Sequence, residues 1–502
     1  MADSSLLDVA IVGAGPVGAV AANLCGVHGL SAIAFDRAVD VYDLPRAAAL
    51  FDDVQRILDN AGVLEAILPA TCELLGAEFV DAAGARIIGL EVPPGLLTEN
   101  GRPPVLNIDQ PEVERAIRSC LDRHDGVELR VSHEVTGFQQ ADDHVELTVR
   151  DLAAGRTRQV HAHWLLACDG ARSFVRKASG IGWKSLGYDC DWLVVDVAMS
   201  RSVALTPFAQ QICDPDRPVT VIPMPGVLRR WEFQLKPGET REEMEAPERV
   251  WQLLAPWLTP SDGEVRRAVV YRFHATIADS FRRGRVFLAG DAAHQTPPFL
   301  GQGLCTGIRD VHNLIWKLAM VRGGAAGDRL LDTYDAERRP LALAMVEHST
   351  NSGRLIDAYA AMARGGPEPP AELREYAYGG GRALPDLSAG LLAPNGGRWV
   401  GQRFPQATVR AGGAEIGRFD DVVGPRWAIV AREPLSVGDN TERFLAAVDA
   451  ISVDVPQPEG YVLGLLMEHE VIVVRPDRII YGAGEAGGLD SLIAPLIESM
   501  RG

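Results

Sequence analysis

Residues 6–37, LLDVAIVGAGPVGAVAANLCGVHGLSAIAFDR, admit few folds. An apolar run from Val9 to Val12 meets Gly13-x-Gly15-x-x-Gly18, a helix of small residues follows, and a second apolar run ends at Asp36. That order is a βαβ unit with two parallel strands. Gly13 permits the tight turn, Gly15 lets a pyrophosphate approach the backbone, and Gly18 lets the helix sit on the strand. Pro16 suits the first helical turn, where its missing N–H costs little. Free N–H groups at the helix start favour phosphate oxygens. Asp36, followed by Arg37, is placed to accept hydrogen bonds from ribose hydroxyls. The unit predicts a dinucleotide site without choosing the dinucleotide.

At 502 residues the chain exceeds one ordinary core, so two or three domains are expected. A formal charge of −18 disfavours nucleic acid or an anionic membrane as partner. The seven cysteines are scattered without a CxxC pair, which argues for reduced thiols and against a disulfide framework or a metal site. No apolar run approaches the roughly 20 residues that span a bilayer. The N-terminus lacks a basic segment followed by an apolar one, so the expected location is cytoplasmic.

Further along, a loop containing Pro45-Arg46-Ala47 precedes a helix near Asp53 to Gly62. Short strands run from Cys72 to Thr98, residues 108–121 return to helix, and residues 127–170 read as a β-meander. Alternating strands continue from Trp183 to Phe273. RVFLAGD (285–291) is apolar throughout, as in a parallel sheet covered on both faces. Helices follow to Ala363, then a Gly/Pro/Ala-rich linker, then a small α/β segment with RWAIVAR, ERFLAAVDAI, a hairpin around Pro476-Asp477 and a final helix.

Two more strands end on acid and glycine. Trp164 to Ser173 passes through Asp169-Gly170 to Arg172, and alone it reads as a strand-ending turn. GDAAHQTPPFLGQGLCTG (290–307) adds two prolines and a glycine-rich helix entry. With GAGPVG at 13–18, DGARS at 169–173, GDAAH at 290–294 and Tyr334-x-x-Glu337-Arg338-x-Pro340, the chain resembles the class A FAD-dependent aromatic hydroxylases, the family of phenol and p-hydroxybenzoate hydroxylases. The likeness covers residues 6 to about 350. IDQPEVE, ACDGARSFVR, CDPDRP, RRWEF, KPGET and WKLAMV resemble the branch acting on 3-(3-hydroxyphenyl)propionate. VVRPDRIIYG (473–482) resembles the thioredoxin-like tail of the phenol hydroxylase branch, here without CxxC, which implies dimerisation or stability as its role.

The resemblance implies an α/β fold: a Rossmann-like FAD-binding domain from 1–75, 100–182 and 275–365, and an inserted, mainly antiparallel β domain for substrate from 76–99 and 183–274. A linker (366–396) and a thioredoxin-like domain (397–502) would follow. Gly13, Gly15, Pro16, Gly18, Asp36 and Arg37 would hold the ADP half of FAD. Arg46 and Gln110 would contact the cofactor, and Asp169, Gly170 and Arg172 belong to a motif implicated in FAD and NAD(P)H binding. Gly290 and Asp291 would meet the ribityl side. Pro298, Gly301 and Gly303 shape the approach, and the backbone N–H groups of Leu304 and Cys305 would face the flavin. Many relatives carry Asn where this chain has Cys305.

By the same resemblance, NADH or NADPH reduces FAD, O2 is the co-substrate, and a C4a-hydroperoxyflavin hydroxylates a small phenol ortho to its hydroxyl. A 3-(3-hydroxyphenyl)propionate-like acid is the expected substrate. Larger aromatics, such as polyketides, attacked by hydroxylation, epoxidation or Baeyer–Villiger chemistry, are the alternative, and a non-catalytic flavin-binding protein is a second. The Pro298 carbonyl would accept the phenol's hydrogen bond. For His294 a structural hydrogen bond to backbone is expected, with a catalytic role as the alternative. Arg229 and Arg230 are candidates for a substrate carboxylate, and Gln211, Met224 and Phe299 for the pocket wall. His161 and His163 alternate on a strand as a polar face. A homodimer is compatible with the tail.

Overall fold

The computed structural model describes residues 6–43, 46–376, 385–394, 397–411, 415–431 and 437–501. Pro45, the end of RWAIVAR at 432, and parts of the expected linker (377–384 and 395–396) lie outside the described residues.

The opening unit folds as strand β1 (Leu7–Val12), helix α1 (Pro16–Val27) and strand β2 (Ala32–Phe35). β1 pairs in parallel with β2 on one side and with Arg156–Ala167 on the other, and Val286–Leu288 adds a further parallel strand beyond it. The registers align Val12 with Phe35, Val12 with Ala167, and Ala167 with Leu288. Parallel strands in register end together. The glycine loop after Val12, Asp36 after Phe35, Asp169 after Ala167 and Gly290 after Leu288 therefore share one edge of one sheet. In open α/β sheets the carboxyl ends of the strands are where ligands bind.

A second sheet of eight strands runs in the order Arg86–Glu91, Gly76–Val80, Ala209–Ile212, Val219–Pro223, Leu228–Gln234, Trp183–Met199, Gly263–Ala278 and His294–Gln295. Its strands alternate, as the period of two requires. Trp231, Phe233, Leu193 and Val195 point to one face and pack with Met244, Val250 and Leu254 of two short helices. Arg230, Glu232, Asp196 and Trp192 occupy the opposite face, which turns toward the dinucleotide domain: Arg230 reaches the Arg46 carbonyl and Trp192 packs on Phe299. Gly263–Ala278 runs past the expected boundary at 274, and His294–Gln295 pairs with it, so the GDAAH segment crosses from one sheet to the other.

The C-terminal part is thioredoxin-like. Ala428–Ala431 pairs in parallel with Ile451–Asp454 and antiparallel with Val471–Val474, which forms a hairpin with Ile480–Gly484. Helices Asp439–Ala447, Gly460–Glu468 and Leu489–Arg501 complete the pattern. No cysteine follows Cys305, so this domain carries no redox pair.

Buried charges fasten it to the first domain. Arg56 Nε donates to Asp420 at 2.6 Å, Arg478 Nε donates to the same carboxylate at 2.7 Å, and Arg56 Nη1 reaches the Phe404 carbonyl at 2.6 Å. A second cluster joins Glu337 to Lys317 and to Arg475, each at 2.7 Å. Burial alone would raise the Asp420 pKa, but Arg56 and Arg478 hold it well below the ordinary range. Its stabilisation is therefore complete above the unfolded value of about 3.9 and is lost as pH falls toward the lower folded value. Asp420→Ala strands two buried guanidinium groups and is expected to cost about 3–5 kcal/mol in urea denaturation at neutral pH. An unchanged midpoint would show that the docking does not depend on this cluster.

Candidate active site

Gly13 has φ of +91°, and a Cβ there would lie 2.4 Å from the Cys168 carbonyl oxygen. A Cβ on Gly18 would lie 2.0 Å from the Gly13 oxygen. Both glycines are required by the protein's own backbone. Gly15 differs: a Cβ there meets nothing within 4 Å. The open space lies at the N-terminus of α1, where orphan N–H groups and the helix dipole favour anionic oxygen.

Asp36 accepts from Ala14 N–H at 3.0 Å and Ala38 N–H at 2.9 Å, which ties the end of β2 to the glycine loop. Arg118, which sequence reasoning missed, donates to the Ala14 carbonyl at 3.0 Å and to Glu114 at 2.6 Å, and stands 3.5 Å from Asp36. Its only sequence signal was an arginine at helical spacing from Glu114. Arg37 and Arg46 are exposed. Gln110 opens its helix and accepts from Arg46 N–H and Ala47 N–H, each at 2.7 Å, so it fastens the loop beside the site.

Asp169 accepts from Val175 N–H at 3.0 Å, and its second oxygen is buried with no partner among the described residues. Burial raises its carboxyl pKa. Gly170 has φ of +77° and faces open space, and Arg172 is exposed.

The third loop is pinned from below. Asp310 accepts from His294 Nε2 at 2.7 Å, from Gly290 N–H at 3.1 Å and from Arg338 Nε at 2.9 Å. His294 thus bonds a carboxylate, where a backbone partner was expected, because the helix Gly303–Arg322 carries an acid directly behind the loop. At 1% exposure it belongs to the wall, which speaks against the catalytic alternative. Burial would raise the Asp310 pKa, but His294 and Arg338 bring it below the ordinary value. Asp291 is half-buried on the turn Gly290–Ala292.

Pro298 starts a short turn whose carbonyl accepts from Gly301 N–H at 2.8 Å, leaving one lone pair for another donor. Gly301 is left-handed at φ +65°, and the helix begins at Gly303. Gly303, Leu304 and Cys305 are its first three residues, whose N–H groups have no intrahelical acceptor. Cys305 Sγ lies 3.6 Å from the Ala49 carbonyl, and burial pushes its thiol up to about 11, so it is a neutral packing group. Its side chain is fully buried, which leaves the backbone as the part of Cys305 that a ligand could meet.

Facing this corner, Phe299 packs edge-on against Trp192 at 5.5 Å and Tyr188 at 6.0 Å. Gln211 accepts from Thr220 Oγ1 at 2.6 Å, and Met224 is buried nearby in sequence to Pro223, whose carbonyl accepts from Asn107. Arg229 donates to the Leu228 and Met224 carbonyls. Arg230, expected to meet a substrate carboxylate, is instead held by Asp196 at 2.7 and 3.2 Å and donates to the Arg46 carbonyl at 2.9 Å. The reason is the register, which places Asp196 directly across from it. Asp196 and its other partner, Arg267 at 3.1 Å, left no motif in the sequence.

Four strand ends on one edge, two helix N-termini and an open cradle at Gly15 define a dinucleotide-binding site faced by a second sheet. Residues 6–349 match the family model described as FAD binding domain. A Rhodococcus jostii (strain RHA1) protein named "Probable NADH-specific resorcinol 4-hydroxylase" is 33% identical over 98% of this chain and 95% of its own length. The 3-(3-hydroxy-phenyl)propionate/3-hydroxycinnamic acid hydroxylase of Shigella sonnei (strain Ss046) is 32% identical over 94% of this chain and 91% of its own. The chain belongs to the FAD-dependent aromatic hydroxylase family.

Solved structures support the fold. The flavin-dependent monooxygenase PieE, with FAD and substrate, superposes with a TM-score of 0.81 at 21% identity, covering 99% of both chains. Aklavinone-11 hydroxylase, with FAD and aklavinone, gives 0.81 at 22% identity, covering 99% of this chain and 100% of that one.

The residues fit FAD. The Gly15 cradle suits the pyrophosphate, the unpartnered Asp169 oxygen suits a hydroxyl donor, and the helix start at Gly303–Cys305 suits the negative charge of a reduced flavin. Gly15→Val is expected to fold with an unchanged far-ultraviolet circular dichroism spectrum and to purify without visible flavin absorbance. Gly18→Val is expected not to fold. Yellow Gly15→Val protein would remove the cradle from the cofactor site.

Proposed function

We propose that this chain hydroxylates a small, neutral, meta-substituted phenol, with NADH as reductant. It is a monooxygenase of the FAD-dependent aromatic hydroxylase family, using NAD(P)H and O2. Bound flavin supplies the redox and oxygen chemistry, while the protein supplies orientation, dryness and charge. The ring named for one relative, resorcinol, and the one named for the other, 3-(3-hydroxyphenyl)propionate, share a meta-substituted phenol. The phenol would stand between the Pro298–Leu300 turn and the sheet face carrying Trp192 and Arg230.

The observation that carries the choice of a neutral phenol is the charge balance of that face. Arg230 and Arg267 meet Asp196, and Glu232 lies 3.9 Å from Arg230. Two cations face two carboxylates, so an incoming carboxylate would add an uncompensated buried charge. Remaining dry also favours productive oxygen transfer, and Phe299, Trp192 and Val194 provide apolar cover.

Steady-state kinetics with resorcinol and 3-(3-hydroxyphenyl)propionate test this reading. Resorcinol is expected to have the higher kcat/KM by about tenfold, equivalent to ~1.4 kcal/mol of transition-state binding. A higher value for the propionate would mean that Arg267 takes the carboxylate and that the charge argument fails. NADH is expected to outperform NADPH in the same assay.

A further inference from the structure

The sheet face opposite the Pro298 turn holds a carboxylate with cations nearby but no hydrogen-bond donor among the described residues. Glu232 is 6% exposed, and among the described residues it accepts no hydrogen bond; its nearest cation, Arg230 Nη1, stands 3.9 Å away. Asp196 takes the short contacts of both arginines. Across the strands Glu232 lies opposite Thr220 on one side and Val194 on the other. Thr220, Ile222, Val269 and Tyr271 share this face and are only partly buried, so the dinucleotide domain does not close it completely. A buried carboxylate without a donor is costly, and a site tolerates it where a ligand brings the donor.

We propose that Glu232 is the catalytic base that accepts the proton of the substrate's ring hydroxyl. This rests on the reading that a phenol sits against this face. In the step, the phenol O–H bond breaks, the proton passes to a Glu232 carboxylate oxygen, and the electron pair stays on the phenol oxygen. The ring becomes more nucleophilic ortho and para to that oxygen, and no net charge enters. Nothing is oxidised or reduced, and the proton returns when product leaves. Arg230, whose Nη1 is 3.9 Å from Glu232, and Arg267, which pairs with Asp196, would be the cations available to a phenolate there.

The surroundings support such a base. Burial raises the Glu232 pKa, Arg230 and Arg267 oppose that rise, and Asp196 adds to it. These are the charged groups facing it from its own strand and from the two strands beyond. A carboxyl raised from its ordinary range is better matched to a phenol, and general-base catalysis contributes about 10²-fold or more.

The experiment uses wild-type, Glu232→Gln and Glu232→Asp holoenzymes. Binding of resorcinol to the oxidised enzymes is followed by perturbation of the flavin spectrum, and turnover is followed across pH with resorcinol and with a fluorinated resorcinol already ionised at the assay pH. Glu232→Gln is expected to keep its FAD and its phenol binding, to lose about 10²-fold in kcat with resorcinol, and to lose the acid limb of the pH profile. The deficit should shrink to a few-fold with the ionised substrate, and Glu232→Asp should recover part of the rate and the limb. Unchanged kcat with an intact acid limb in Glu232→Gln would overturn the assignment. An equal deficit for both substrates would also overturn it, by making Glu232 a structural residue. If no phenol perturbs the flavin of the wild type, the reading that a phenol binds at this face fails, which is a separate result from a failure of Glu232.

Discussion

One buried carboxylate holds the reaction corner in shape. Asp310 receives the Gly290 amide, His294 and Arg338, which come from the loop, from the start of a strand in the second sheet and from the long helix Arg329–Ala363. A fully buried acid with three donors is stable only while all three remain, because each departing donor leaves charge in a low-dielectric setting. The glycine-rich loop between Gly290 and Gly303 can therefore be open on its ligand side and rigid behind. Tyr334 reinforces the same region from the next helix, donating to the Leu288 carbonyl at 2.7 Å.

The Tyr334-x-x-Glu337-Arg338 segment shows how one short motif serves three contacts. Tyr334 supports the parallel strand, Arg338 supports Asp310, and Glu337 gathers Lys317, Asn313 and Arg475 at the junction with the C-terminal domain. The thioredoxin-like domain is thereby joined to the helices that back the reaction corner. Two separate clusters of buried charge, one behind the corner and one at the domain junction, are thus carried by the same two helices.

Much of the dinucleotide half was legible because its signals are local. Glycine spacing, an apolar run and a terminal acid each occur within a few residues, and parallel strands in register bring the three loops together without further information. The tail was legible as a small α/β unit through its hairpin and final helix, and as thioredoxin-like only through the resemblance of residues 473–482. The sheet that faces the substrate was not legible at the level of residues. On a strand, Arg230, Glu232 and Asp196 read like exposed polar positions of an alternating pattern, and only the second domain lying over that face makes them buried. The role of Asp310 escaped for a similar reason: its partners come from segments 16, 20 and 28 residues away along the chain. The packing of the Cys305 thiol on the Ala49 carbonyl was not legible either, because its partner lies far away along the chain.

On the proposed function, a phenol ring oriented by the sheet receives one oxygen atom from O2. The most direct measurement is product mass after turnover with NADH and resorcinol under isotopically heavy dioxygen in ordinary water. Product carrying one heavy oxygen atom is the expected result. Unlabelled product, or NADH consumed with hydrogen peroxide as the only oxygen product for every meta-substituted phenol, would contradict it.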